Sequence, residues 1–401
     1  MKIDTTHRLV NLDPRDPQFY ENPYPAYRRL HAECPVFKWE QYGHWCFSRH
    51  EDVNTLLRDR RFGRQILHVA SREELGWPKP PDHIRVFTDH EQHSLLELEP
   101  PVHTRLRGLI SRAFLSRQIE RLRPFVADLA NRLIDGFKAD QVDILAEFAT
   151  PVPVYVICEL LGAPQEMAQQ FLNWSHDHVA MYMAKRDRAI ENTAVAAVSA
   201  FSAYMRGLIA ERRKNLGQDL LSELIRAESA GQKLSEDELV TTAILVLNAG
   251  HEATVHATGN GIKAMLERGL HGPITPELVD EMMRFDPPLH MFTRYALEDI
   301  EFAGINLKKG ETIGLMLGAA NHDAEKFANP DQFVAHRAPN PHVAFGAGIH
   351  FCIGAPLARL EMQAALEVLF ARFPKMSLAG EPHYKDVYHF HGLEALRVNL
   401  R

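Results

Sequence analysis

From Ser235 to Arg268 the chain runs without a proline, and the next one is Pro273. The run opens on SEDELV, a capping box in which Ser235 can accept from the backbone near Glu238 while Glu238 reaches back. The spacing predicts one helix of about 30 residues, against a mean of ~11–12. The rest of the fold has to be arranged around so long an element. Its middle, LVLNAGHEATVHA from Leu245 to Ala257, has apolar flanks and reads as buried. Yet that middle holds Gly250, Glu252 and Thr254. Glycine costs about 1 kcal/mol inside a helix, and a buried carboxylate costs more unless paired. Either this face reaches solvent, or the helix is thinned against a bound group with an acid set beside it.

Around the long helix the pattern is mainly helical. RLRGLISRAF and RLRPFVADLANRLIDGF, between Arg105 and Phe137, space apolar residues by three and four, and NTAVAAVSAFSAYMRGLIAERRKN is another amphipathic candidate. Thr275 and Pro276 cap a helix that must stop before Pro287–Pro288. PVFKWEQYGHWCFS, from Pro35, alternates as a hairpin does, and DIEFAG and ETIGLML read as short strands. A long coil is expected from Asn321 to Gly348, with a further helix after Cys352. The expectation is a mainly α protein with small β-sheets. Residues 1–401 form a single domain whose first ~20 residues are irregular.

The 401 residues carry 45% apolar and 24% charged side chains, as an ordinary globule does. A net charge of −7 argues against a nucleic-acid binder. The N-terminus has no apolar core of a signal peptide, and PVPVYVICELLG from Pro151 is too short and too broken by Pro151 and Pro153 to span a bilayer. The reading is a soluble cytoplasmic protein without nucleic-acid or membrane partners.

The four cysteines, Cys34, Cys46, Cys158 and Cys352, form no CxxC pair, which disfavours zinc. Cys352 sits in FGAGIHFCIGAPLARLE, after a glycine-rich turn and at a helix start. Such a place lowers a thiol pKa. Gly346, Gly348 and Gly354 leave room for a flat ligand to approach the backbone. One thiolate cannot close a zinc or iron–sulfur site, but it suffices as the axial ligand of a haem, where the porphyrin supplies four bonds. A buried, inert cysteine in a helix-capping turn is the bland alternative. EMMR, from Glu281 to Arg284, can pair on one helix face.

Taken together these segments resemble a bacterial, soluble cytochrome P-450, a haem-thiolate monooxygenase. The family's cysteine loop is matched by Phe345, Gly348, His350, Cys352 and Gly354. Its Glu-x-x-Arg pair is matched by Glu281 and Arg284, and its oxygen-binding helix motif by Ala249, Gly250 and Glu252. PPVHTRLRGLISRAF, from Pro100, resembles the segment against the haem propionates. The likeness covers roughly Tyr24 to the C-terminus.

The resemblance implies haem b ligated through Cys352, the metal ligand, with Phe345 beside the sulfur. It gives His103, Arg107, Arg294 and His350 to the propionates, and makes Arg337 a third partner of Glu281 and Arg284, all three structural. Ala249 and Gly250 would leave room for dioxygen, and Glu252 would be the acid of proton delivery. Most members have a threonine directly after that acid. Here Ala253 stands there, and Thr254 is turned by about 100° around the helix. By the same resemblance the substrate pocket draws on the loop before SLLELEPP, the Met181–Met183 region, Leu245, Leu289, Met291, Phe292 and Leu393. The implied substrate is a small to medium, largely apolar organic molecule, oxidised with O2 by hydroxylation or O-/N-dealkylation. Electrons are expected from a separate ferredoxin or flavodoxin with its reductase, with Arg105, Arg112 and Arg359 as candidate contacts. A peroxide-driven peroxygenase and a non-enzymatic haem sensor are the alternative readings.

Overall fold

The computed structural model describes residues 1–114, 119–182, 186–229 and 234–401. The chain divides into two compact units. The first holds Met1–Val69, Ala127–Thr150 and Ala253–Arg401; the second holds Ala70–Val126 and Pro151–Glu252. The long helix, Glu236–Leu266, runs from one into the other. Its start carries the expected reciprocal cap: Ser235 N donates to Glu238 Oε2 at 2.9 Å, and Glu238 N donates to Ser235 Oγ at 3.1 Å.

All described strands lie in the first unit. β1 (Lys2–Asp4), β2 (Leu9–Asn11), β3 (Val36–Trp39), β4 (His44–Phe47), β5 (Phe62–Gly63), β7 (Phe292–Ala296) and β10 (Thr312–Leu315) form one sheet in the order β1-β2-β3-β4-β10-β7-β5. β6 (Gln141–Asp143), β11 (Ser377–Leu378) and β12 (Arg397–Asn399) form a second, ordered β11-β12-β6, and β8 (Ile300–Phe302) pairs with β9 (Ile305–Leu307). β3 and β4 are the antiparallel hairpin that the aromatic alternation predicts, turned at Gly43 with φ +73°. β10 lies parallel to β4, and Gly314 makes this possible: a Cβ there would stand 2.7 Å from Cys46 Sγ.

The N-terminal residues differ from expectation. Instead of an irregular segment, β1 and β2 pair antiparallel, Ile3 opposite Val10, and Val10 is buried. The turn between them contains no Gly or Pro. The Asp4 carboxylate shapes it, accepting from Thr6 N at 3.0 Å and His7 N at 3.1 Å.

The Pro276–Phe285 helix starts as expected, with Thr275 Oγ1 accepting from Leu278 N and a proline in its first turn. It packs against the Ala355–Arg372 helix. Between Asn321 and Ala347 the described chain is neither helix nor strand.

The second unit is helical: Arg85–Glu91, Val102–Ala113, Pro151–Leu161, Ala168–Val179, Arg188–Lys214 and Leu220–Ser229. Pro151 and Pro153 do not break their helix, because both fall in its first turn, where the missing N–H groups have no intrahelical acceptor. Ala168–Val179 packs on Arg188–Lys214 through rings. Phe171 stacks on Phe201 at 5.5 Å, and Trp174 lies 5.1 Å from Phe201. Among the described residues Arg188–Lys214 alone is long and apolar enough to cross a membrane by length and composition.

Burial lowers the pKa of seven described histidines: His31, His44, His50, His90, His290, His322 and His389, with His90 and His290 brought down from 6.5 to about 4. Below pH 6.5 the unfolded chain therefore binds protons that the folded chain refuses, so stability falls as pH drops. The carboxyls of Glu361 and Asp52, raised by burial, work in the opposite sense, two groups against seven. Urea unfolding midpoints measured from pH 7 down to pH 4 should decline steadily through this window. A flat profile above pH 4.5 contradicts the buried neutral state of these rings.

Candidate functional site

Of the four cysteines only Cys352 is exposed. Burial drives the thiol pKa upward at the other three, to about 12 at Cys158. They are inert thiols in packed protein. Cys352 precedes the Ala355–Arg372 helix, and its N–H donates to Phe345 O at 2.9 Å, closing the loop between them. Gly346 and Gly348 both adopt φ +69°. A side chain at Gly348 would collide with the carbonyl of Leu57. Phe345 is buried, 4.6 Å beneath the guanidinium of Arg359. His350 closes the Gly348–His350 turn, and a Cβ at Gly354 would lie 3.8 Å from Cys352 Sγ. Also in the first unit, Arg294 on β7 is 3% exposed and donates to Thr293 O at 2.8 Å.

Glu281 and Arg284 are both 0% exposed. Arg284 forks onto the carboxylate, Nε to Oε2 and Nη2 to Oε1, each at 2.8 Å. Arg337 adds Nε to Oε2 at 2.9 Å, and Val334 N reaches Oε1 at 2.8 Å. The remaining guanidinium N–H groups go to coil carbonyls. Arg284 binds those of Asn321, Pro330 and Gln332, and Arg337 binds those of Ala328, Asn329 and Gln332. The three residues expected to be structural are thus brought together, and they fasten the coil that leads to Cys352.

In the second unit His103 is buried and Arg107 half-buried, one turn apart on the Val102–Ala113 helix. On the long helix Ala249 is exposed, and Leu245, Glu252 and Ala253 are half-buried, while residues 239–244 and 254–262 are buried. Val246, Asn248 and Gly250 are half-buried as well, so between 245 and 253 only Leu247 and His251 are buried, and the uncovered positions take up one broad side of the helix. Thr254 is off this side and 7% exposed. Gly250 has a packing reason: a Cβ there would stand 2.7 Å from Ile157 Cδ1. The Pro151–Leu161 helix comes close here, and a larger residue would require the end of the Ile157 side chain to shift.

Two of the expected pocket residues are fully buried. Met291 is 3% exposed with its sulfur at Gly314, and Leu393 is 0% exposed against Gly259. Apolar side chains in short strand-like runs look alike whether they face protein or ligand. Leu289 and Phe292 are half-buried, and Leu289 bridges Phe390. Met181 is buried; Met183 lies outside the described residues. The histidines of LHMF and FHGL serve a buried acid. Asp286 accepts from Tyr24 at 2.7 Å and from Tyr384, and pairs with His391 at 2.8 Å. His290 turns its Nδ1 to Tyr27 at 2.7 Å. No sequence spacing announces this network. Of the candidate partner contacts, Arg105 is ion-paired with Glu238, and Arg359 with Asp280 at 2.7 Å; Arg112 is exposed.

The first unit thus presents a thiol at a helix start with a carboxylate-locked coil leading to it, and the second presents an uncovered side of the long helix. The cytochrome P450 family model matches residues 78–268 and 271–386. The chain is 36% identical to the polyketide biosynthesis cytochrome P450 PksS of Bacillus subtilis (strain 168), over 96% of this chain and 98% of that protein. It is 35% identical to the vitamin D(3) 25-hydroxylase of Pseudonocardia autotrophica, over 95% and 94%. The crystal structure of P450BioI in complex with an acyl carrier protein ligated to hexadec-9Z-enoic acid superposes with a TM-score of 0.87 at 31% identity, covering 96% of this chain and all of that one. The chain belongs to the cytochrome P450 family, and is an oxidoreductase of the P450 monooxygenase type.

Replacing Glu281 by Gln leaves two buried guanidinium groups without their shared charge. The cost expected on breaking such a buried pair is about 3–5 kcal/mol. Urea unfolding of Glu281→Gln against the parent protein measures it. A loss below ~1 kcal/mol would remove the carboxylate from its central place in the coil.

Proposed function

We propose that this P450 holds haem b through the Cys352 thiolate and inserts one atom of O2 into a small to medium, largely apolar organic substrate. The observation that carries this reading is the single exposed thiol, at a helix start and in a loop where Gly346 and Gly348 both take positive φ. The donor set fits the group. A buried Arg294 in the first unit, and His103 with Arg107 in the second, offer the charge-assisted bonds that propionates take. His350 adds a further donor beside the thiol loop. The uncovered side at Leu245, Ala249, Glu252 and Ala253 gives an apolar ligand a surface with one acid on it. The haem, when bound, supplies the activation of dioxygen.

The chain's own part is to position and to deliver protons. Backbone N–H groups that follow Cys352 orient and tune its sulfur. Glu252 is the acid on the uncovered side. Ala253 offers no hydroxyl beside it, and Thr254 is turned into the buried side of the helix. A polar group on the substrate, or a water that it holds, therefore completes the relay with Glu252. Electrons come from a separate ferredoxin or flavodoxin with its reductase, and the enzyme works in the cytoplasm. The relatives' names point to a polyketide pathway and to vitamin D(3), substrates too different for either to pass to this chain.

Two measurements test the reading. Reduced protein under carbon monoxide should show the red-shifted Soret band of a thiolate-bound haem, and Cys352→Ala should lose it. Persistence of that band in Cys352→Ala overturns the ligand assignment. Coupling, as product per reducing equivalent, tests the relay. An analogue lacking the substrate's polar group should uncouple in the natural protein, and Ala253→Thr should restore coupling. Equal coupling of both compounds in the natural protein removes the substrate from proton delivery. Comparable turnover on peroxide without any ferredoxin would make the enzyme a peroxygenase.

A further inference from the structure

Away from the cysteine loop and the uncovered side of the long helix, the second unit brings together three side chains that the sequence keeps far apart. His90 and Glu91 end the Arg85–Glu91 helix, and His178 lies in the last turn of the Ala168–Val179 helix. One ligand atom from each lies within 4.8 Å of the other two. His178 Nε2 stands 3.1 Å from Glu91 Oε1, and the Tyr182 hydroxyl donates to Glu91 Oε2. His178 is 3% exposed, and its Nδ1 has no hydrogen-bond partner among the described residues. The ring of Phe87 packs 4.9 Å from His178 and fixes its plane. The His90 and His178 rings are 5.6 Å apart at 74°. His90 has only a long contact from Nδ1 to Thr241, at 3.4 Å.

The Glu91–His178 hydrogen bond accounts for two of these residues and does not involve His90. Two imidazoles and a carboxylate, with a fourth position left open, are a donor set that zinc and its neighbours accept. Metal–ligand bonds of ~2.0–2.1 Å at tetrahedral angles place ligand atoms about 3.4 Å apart. The Glu91–His178 pair already meets this spacing, and the widest pair has to close by no more than about 1.4 Å.

We propose that His90, Glu91 and His178 bind one divalent transition-metal ion of the zinc class, which ties the end of the Arg85–Glu91 helix to the end of the Ala168–Val179 helix. The ion is a clasp between two surface segments of the second unit, separate from the haem chemistry. Its presence restrains both segments.

The test uses the full-length haem protein, stripped with a chelator and dialysed against zinc chloride. Bound zinc per chain is measured alongside hydrogen exchange of residues 85–91 and 168–182 and the thermal midpoint. The parent protein should take up one tightly held zinc, slow exchange in both segments and gain thermal stability with zinc concentration. His90→Gln, at one of the two half-buried ligands, should fold with the parent's zinc-free midpoint, bind zinc at least ~10-fold more weakly and lose the protection. Glu91→Gln should do the same, so that the result does not rest on one variant. Background binding by the other histidines is unchanged by either substitution. Zinc affinity equal to the parent's in both variants, or protection confined to other segments, overturns the site. None of these readouts depends on turnover.

Discussion

A single buried carboxylate, Glu281, sets the conditions for the rest of the first unit. It neutralises Arg284 and Arg337, and those two guanidinium groups satisfy the carbonyls of five coil residues from Asn321 to Gln332. Buried backbone groups need partners, and this stretch has no ladder or helix of its own to provide them. The side chains supply what secondary structure supplies elsewhere. The same coil runs on to Phe345 and Cys352, so the position of the thiol is inherited from an ion pair on a helix distant in sequence. A buried pair is weak grounds for stability when set against an apolar replacement. Here no apolar replacement could donate to those carbonyls.

A second buried acid governs the segments that flank the Leu289–Phe292 run. Asp286 gathers two tyrosine hydroxyls and the His391 ring, and its pKa is held well below the usual range, against a burial effect that would raise it, by His391 and His290. The Leu289–Phe390 bridge then lies between groups already fixed by charge. Leu289 and Phe292 therefore sit on a framework held by charge and hydrogen bonds.

Much of this was legible in sequence wherever the determinant is local. The capping box at Ser235 and the Thr275–Pro276 start both place helix ends where the structure has them. The Glu281–Arg284 spacing announces their pairing, because residues three apart share a helix face. What the sequence does not reveal depends on a neighbour brought by the fold. Gly250 reads as a thinned helix, but that Ile157 packs against it there is not visible in the spacing. Met291 and Leu393 lie against Gly314 and Gly259, contacts that no spacing announces. The N-terminal hairpin turns on an aspartate in place of glycine or proline, and the His90, Glu91 and His178 group has no spacing at all to betray it.

The Glu281 cluster also has a consequence for how this protein can vary. Three side chains share one negative charge, and both arginines end on carbonyls of the same coil. Loop and helix therefore behave as one cassette. A loop taken from another member of the family can be transplanted only where its carbonyls fall in the same places for Arg284, and only together with its own arginine at the position of Arg337. Sequence can drift freely around this cassette, at the exposed turns of the coil. Within it, any exchange requires several simultaneous replacements, so divergence among relatives has to accumulate elsewhere in the chain.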